Sequence, residues 1–252
     1  MTSKITELKE NLIKNFPKLE YDSSSGGGFD FPSFKLMPFD YLKYAENELD
    51  KNTNESRINC ISHLKRAIDC EIDVFLTITN LRSVFQKKNL KFDKKAELLR
   101  AMNIVSARSL SKLNLVRNKL EHEYTIPDLS DIEVYFDLCS AFVSVVEGYI
   151  FMMASHQEIG WYKPVGTRLS LNAKYNFAIP QVEFVFRKGQ NEQIKFYFSP
   201  DFIQDFAEAM RIFFLLCRSM SLMSMDRVLE EIKREPKQVQ PIIASDTKVL
   251  PN

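Results

Sequence analysis

Residues 55–87, ESRINCISHLKRAIDCEIDVFLTITNLRSVFQK, place Ile61, Leu64, Ile68, Ile72, Phe75 and Ile78 or Thr79 at steps of three and four. That spacing lines apolar side chains along one face of an α-helix, and a helix this long needs partners along its whole face. The flanking sequence offers them. Phe39 to Leu49 is helical in pattern, Asp93 can cap a shorter helix running through Arg100, and Ser106 to Tyr124 and Asp131 to Ala154 continue the series. Ser130, with Glu133 three residues on, reads as a capping box at the start of the last of these. Four to five helices with short connections predict an up-and-down bundle and a mainly α fold.

Outward from this region the texture changes. After His156, the runs Leu169-Ser170-Leu171, Val182 to Phe186 and Ile194 to Phe198 alternate with period two and read as strands. Lys188-Gly189-Gln190-Asn191 between the last two predicts a hairpin. Ser199-Pro200 then offers a cap and a first-turn proline to a helix holding Phe202, Phe206, Met210, Phe213 and Cys217. This predicts a small α+β element, a β-hairpin plus helix, at the C-terminal side. On the other side, residues 4–16 are helical in spacing, while Pro17 and the tract Ser23-Ser24-Ser25-Gly26-Gly27-Gly28 interrupt regular structure. The tract reads as a flexible linker; a phosphate-cradling loop is the other reading, but no Lys-Ser/Thr follows it. The expected organisation is therefore 1–37, an N-terminal helix and Ser/Gly-rich linker; 38–158, a helical bundle; 159–235, the α+β element; and 236–252, a flexible tail.

Composition bounds the class. Of 252 residues 45% are apolar and 27% charged, ordinary values for a globular protein able to bury a core. No apolar run is expected to span a bilayer, and residues 1–16 mix charge with isolated apolar positions, unlike a signal peptide; the expectation is a cytoplasmic protein with no membrane partner. Cys60, Cys70, Cys139 and Cys217 are scattered, with no C-x-x-C pair, and read as reduced structural thiols. The net charge is only +1, yet between Arg82 and Lys119 eleven Lys or Arg stand against Asp93 and Glu97. Such a basic stretch either draws a polyanion or forms the solvated faces of helices.

That basic stretch ends in RNKLEHEY, residues 117–124, where Arg117, Asn118 and His122 fall within six positions. On a helix, Leu113, Val116, Leu120 and Tyr124 share one face; at about 100° per residue His122 points roughly 160° from Leu120 and lies within about 40° of Asn118. Both polar groups thus turn away from the apolar stripe, with Arg117 between the two faces. Histidine titrates near neutral pH and can move a proton to or from a ribose hydroxyl, arginine can bind a phosphate with two parallel hydrogen bonds, and an amide can orient either group without acting as a base. These are the side chains needed to cleave a phosphodiester without a metal or cofactor. Lys112 and Lys119 are candidate RNA-backbone contacts. His63 and His156 have no ligand-spaced partners and read as structural.

RNKLEHEY resembles the R-x-x-x-x-H-x-Y signature of HEPN domains, helical bundles found in prokaryotic toxins and antiviral effectors, and Thr125-Ile126-Pro127 followed by a final helix resembles the order seen there. The resemblance covers roughly residues 38–155. It implies a metal-independent endoribonuclease, acting as a toxin or antiviral defence effector, with Arg117, Asn118 and His122 as its catalytic residues. It also implies a homodimer with a composite site, and an antitoxin or other regulatory protein as a further partner. Tyr124 is similar to a tyrosine modified with AMP in some such toxins and is a possible modification site on that ground, although its place on the apolar stripe reads more readily as packing. An acidic residue of the long helix, Asp69, Glu71 or Asp73, is implied as a support for the motif. The alternative is a non-catalytic HEPN module that dimerises or binds nucleotide or RNA.

Overall fold

The computed structural model describes residues 3–86, 92–106, 128–166, 168–220 and 222–238. Its elements run α1 (Lys4–Asn15), β1 (Glu20–Ser25), α2 (Pro38–Leu49), α3 (Asn54–Ile78), α4 (Arg82–Gln86) and α5 (Phe92–Ala101). They continue with α6 (Leu129–Ser155), β2 (Glu158–Tyr162), β3 (Leu169–Asn176), β4 (Gln181–Lys188), β5 (Glu192–Phe198), α7 (Ile203–Ser219) and α8 (Met225–Lys233). The class is mixed α+β.

Local chemistry sets the ends of α3. At its start Thr53 Oγ1 accepts from the Ser56 amide (3.1 Å) and Ser56 Oγ accepts from the Thr53 amide (2.9 Å), a reciprocal cap. At its end Asn80 takes a left-handed φ of 54°, and the Leu81 amide reaches back to the Leu76 carbonyl at 2.8 Å. This closure satisfies carbonyls the helix would otherwise leave bare. The apolar pattern expected to run on to Lys87 is therefore split, because Leu81 is buried beyond the turn and α4 restarts the chain in a new direction. The expected stripe is in place: Ile61, Leu64, Ile68, Ile72, Phe75 and Ile78 are all buried. They pack α3 against α2 and α6.

Helix α6 begins two residues earlier than expected. Asp128 is its N-cap, Ser130 lies inside its first turn and Glu133 just beyond it, so the expected capping box does not form. One face, through Ile132, Cys139, Phe142, Val146, Ile150 and Met153, is buried. Contrary to the expectation that no run approaches bilayer length, α6 is, among the described residues, long and apolar enough to cross a membrane by length and composition, a test that the core helix of a globular protein also passes.

The sheet corrects two readings. In place of a hairpin there is a five-stranded antiparallel sheet in the order β1-β2-β3-β4-β5. The Ser tract is not a linker but its edge strand: Ser23, Ser24 and Ser25 pair with Gly160, Ile159 and Glu158, with a register shift between Tyr21 and Ser23. The helices α2 to α6 are thus spliced into the chain between two neighbouring strands. The glycines after β1 let the backbone lie against the end of α6. A Cβ on Gly26 would stand 2.9 Å from the Ala154 carbonyl oxygen, and the Gly27 amide donates to that oxygen at 3.0 Å.

Alternation does organise the rest of the sheet. Leu171, Ala173 and Tyr175 of β3, with Val182, Phe184 and Phe186 of β4, turn one face inward. Phe184 and Phe186 stand across from Phe196 and Ile194 of β5. The expected hairpin turn is present, with Gly189 at a φ of 66°. Against this face lies α7, every residue of which from Phe206 to Cys217 is buried. The expected Ser199-Pro200 start is a 3-10 turn, Pro200–Phe202, and Ser199 Oγ donates to the Asp201 carboxylate (2.9 Å) rather than capping the backbone. Helix α1 packs on α7 and α8, and Phe16 meets Trp161 edge-on at 5.5 Å. Tyr175 ties the sheet to the helices: its buried hydroxyl donates to the Thr79 carbonyl at 2.6 Å.

Candidate functional site

The residues of the motif, Arg117, Asn118, His122 and Tyr124, lie outside the described residues, as do Lys112 and Lys119. What is described is the ground on either side. Before the segment, α5 ends in a turn with Asn103 at a φ of 61°, the Ile104 amide reaching the Leu99 carbonyl at 3.0 Å, and Ile104 and Val105 buried. After it, Asp128 leads into α6, whose Ile132 is fully buried. The described chain is thus buried in the core shortly before and shortly after residues 107–127, at Ile104 and Val105 on one side and Ile132 on the other.

The three acids of α3 differ sharply. Asp73 is committed to an ion pair with Lys95 of α5 at 2.7 Å. Asp69 is half-buried. Glu71 is fully buried, and neither of its carboxylate oxygens has a hydrogen-bond partner among the described residues. Burial first, and then the charge of Glu147 on α6, push its pKa up to about 8. At neutral pH Glu71 is thus mostly a protonated acid, able to donate one hydrogen bond or to ionise beside an arriving cation. Glu147 is itself raised by burial.

The described part of the basic stretch is already occupied. Arg82 stands over the Phe34 ring at 5.4 Å, Lys95 pairs with Asp73, and Lys94 and Arg100 reach Glu97 at 3.4 Å and 3.8 Å. For these four cations the solvated-face reading holds better than a polyanion funnel.

No family model, curated protein or solved structure matches this chain. His156 Nδ1 lies 3.0 Å from Ser24 Oγ, joining α6 to β1, and His63 packs against the Tyr44 ring at 5.5 Å. Among the described residues no group of three or more His, Cys, Asp or Glu is placed to hold a metal. All four cysteines are free thiols. Burial pushes Cys60 to about 11 and Cys139 to about 12, so neither offers a thiolate nucleophile near neutral pH.

Sequence reasoning missed a second concentration of function-bearing side chains, a cavity of about 360 Å³ between α7, α8 and the turn at Asn103. The available signal was spacing: Arg211 and Arg218 stand seven residues apart on α7, and Arg227 and Arg234 seven apart along and just beyond α8. Seven residues is close to two helical turns, so Arg211 and Arg218 share a face, while Arg234 follows the end of α8 in an extended conformation.

Proposed function

We propose that the chain is a metal-independent endoribonuclease of the HEPN type, acting as a toxin or antiviral defence effector through Arg117, Asn118 and His122. The observation that carries this reading is the octapeptide RNKLEHEY. The finer fold reading, a HEPN-like bundle, belongs with it and is supported by the packing of α2, α3 and α6 on one another. In the reaction His122 accepts the proton of a ribose 2′-hydroxyl, the 2′-oxygen attacks the adjacent phosphorus, and Arg117 stabilises the charge that builds on the phosphoryl oxygens. The 5′-oxygen leaves with a proton, giving a 2′,3′-cyclic phosphate and a 5′-hydroxyl. Asn118 orients the phosphate or the imidazole, and Lys112 and Lys119 hold the flanking backbone. Glu71 fits the role of positioning residue, because it is the acid of α3 with hydrogen-bonding capacity unspent.

A homodimer with a composite site fits this reading, and an observation favours it. Val134, Leu138, Ala141, Val145, Gly148 and Met152 follow one another on α6 at steps of four and three, and all six are exposed or half-buried. That is a heptad-spaced seam in which Leu138 and Met152 touch the core, while Val134, Ala141, Val145 and Gly148 are exposed. The same seam also favours the second reading, a non-catalytic module that pairs through α6 and binds nucleotide, RNA or a regulatory protein.

One comparison separates the two. Wild type, Arg117→Ala and His122→Ala are incubated with RNA in EDTA and the product ends are mapped. Cleavage to cyclic phosphates by wild type, reduced about 100-fold or more in either variant, is the expected result for a lost proton-transfer or charge-stabilising group. Intact RNA with wild type, or undiminished cutting by His122→Ala, leaves the non-catalytic reading.

A further inference from the structure

The cavity beside α8 is independent of the motif and brings together residues from distant parts of the chain. Its lining carries Arg211, Arg218, Arg227, Arg234 and Lys237 against Glu231 and Glu235, a surplus of three positive charges. Two of these cations are spent. Arg211 grips Glu208 with Nε and Nη2, both at 2.7 Å, and donates Nη1 to the Glu231 carbonyl at 2.9 Å. Lys9 adds a second cation to the same carboxylate at 2.6 Å, so this buried cluster is itself cationic. Arg234 pairs with Glu231 at 2.7 Å. Arg218 is hydrogen-bonded to the neutral Tyr149 side chain, and Arg218, Arg227 and Lys237 have no ion pair with a carboxylate among the described residues.

The site is built rather than a chance scatter of surface charge. The Lys237 carbonyl accepts from Gln204 Nε2 at 3.2 Å, the Gln238 carbonyl accepts from Arg100 Nη2 at 2.6 Å, and Lys237 Nζ donates to Asn103 Oδ1 at 2.6 Å. The turn after α7 is fixed likewise, since the Leu222 and Met223 amides both donate to the Arg218 carbonyl at 2.9 Å. Holding Lys237 here is costly. Burial, then the charges of Arg100 and Arg211, lower its pKa against the opposing pull of Glu231. A bound anion relieves that cost, because it turns the crowding of like charges into attraction. The wall is not polar throughout: Leu215 is buried behind the cations, and Leu222 stands 71% exposed at the rim with Met223 beside it. Cations on one side and an apolar shelf on the other suit a ligand with a phosphate and a flat, weakly polar body.

We propose that this cavity binds a phosphorylated small molecule of mononucleotide size, its phosphate held by Arg218, Arg227 and Lys237 and its base or equivalent body against Leu222 and Met223. A cavity of about 360 Å³ falls within the range usual for small-ligand pockets.

The test is calorimetric titration of the full chain with AMP, ATP, adenosine and inorganic phosphate. The Arg227→Gln/Lys237→Gln double variant runs beside wild type, with thermal unfolding of both proteins as a control for folding. Expected is binding of AMP or ATP with Kd on the order of 10–100 μM, at least about tenfold tighter than adenosine or inorganic phosphate. In the double variant the loss is about tenfold or more, with the ligand-free melting temperature no lower than that of wild type. Should the double variant melt early, Arg227→Gln alone, an exposed position on α8, carries the test with a loss of about threefold or more. No binding of either nucleotide, equal binding by wild type and variant, or inorganic phosphate binding as tightly as AMP overturns the proposal. So does a single-stranded oligoribonucleotide that binds tighter than both nucleotides and is lost in the same variant, since the site would then serve a polymer.

Discussion

Glu71 shows what one buried side chain costs and why such a cost is carried. A carboxyl with no exposure and no hydrogen-bond partner is stable only when protonated. In the unfolded chain it ionises near 4.5, and in the fold it holds its proton to about 8. Between those values the folded state binds one proton more than the unfolded state, so stability falls as pH rises from 4.5 to 8 and levels off above. Glu71→Gln removes the titration and keeps the shape. At pH 5 the variant and wild type should unfold at similar urea concentrations; at pH 8.5 the variant should be more stable by a few kcal/mol, roughly 2–4. Parallel pH dependences in the two proteins would show that Glu71 is not held as an unpaired acid. If Glu71 positions the motif, the stabilised variant also cuts RNA more slowly, the usual trade of a strained site. In the sequence Glu71 could not be separated from Asp69 and Asp73. The difference between them is burial and the reach of Lys95, both set by α5 and α6 rather than by anything near position 71.

Elements were legible in the sequence where they bury a face and hidden where they do not. The stripe of α3 and the alternation of β3, β4 and β5 could be read directly, because each buries residues at its own period. Strand β1, EYDSSS, exposes all but one of its residues, so it has no apolar signature and is held by its ladder to β2. Polar composition made it look like a linker, and the three glycines strengthened that impression. In the fold these glycines are unequal. A Cβ at Gly26 meets a backbone oxygen at 2.9 Å, while one at Gly28 meets nothing within 4 Å. Gly26→Ala should therefore cost about 1–3 kcal/mol, as overpacking against fixed backbone does, and Gly28→Ala within about 0.5 kcal/mol of nothing. Urea midpoints for the two variants decide this, and equal, negligible effects would return the tract to linker status. The missed capping box has a similar lesson: Ser130 and Glu133 have the right spacing, but α6 begins at Leu129 behind Asp128, two places too early for them.

At the scale of the molecule, the order of elements matters more than any one of them. A helical region inserted between adjacent strands leaves no local mark, since 132 residues, 26–157, lie between Ser25 at the end of β1 and Glu158 at the start of β2. The sequence could give the helices and the strands but not the splice. The splice matters for function because it anchors α6 twice, once through α3 and once through the β1–β2 edge at His156 and Ser24. A helix held so firmly presents its outward seam as a rigid surface. Along that seam Ala141 and Gly148 are small enough for close approach, and Val145, 44% exposed, lies midway between them. If the ribonuclease site is composite, a charge at this point should separate the copies without disturbing the buried face of α6. Val145→Glu is expected to keep the helical circular dichroism of wild type, to sediment as a monomer at about 10 μM where wild type is a dimer, and to lose about 100-fold or more of RNA cleavage, because burying an unpaired carboxylate in a pairing seam is costly. Arg117→Ala, by contrast, should lose cleavage and remain dimeric. A wild-type protein that sediments as a monomer and still cleaves RNA would remove the seam from the mechanism and place the whole site within one chain.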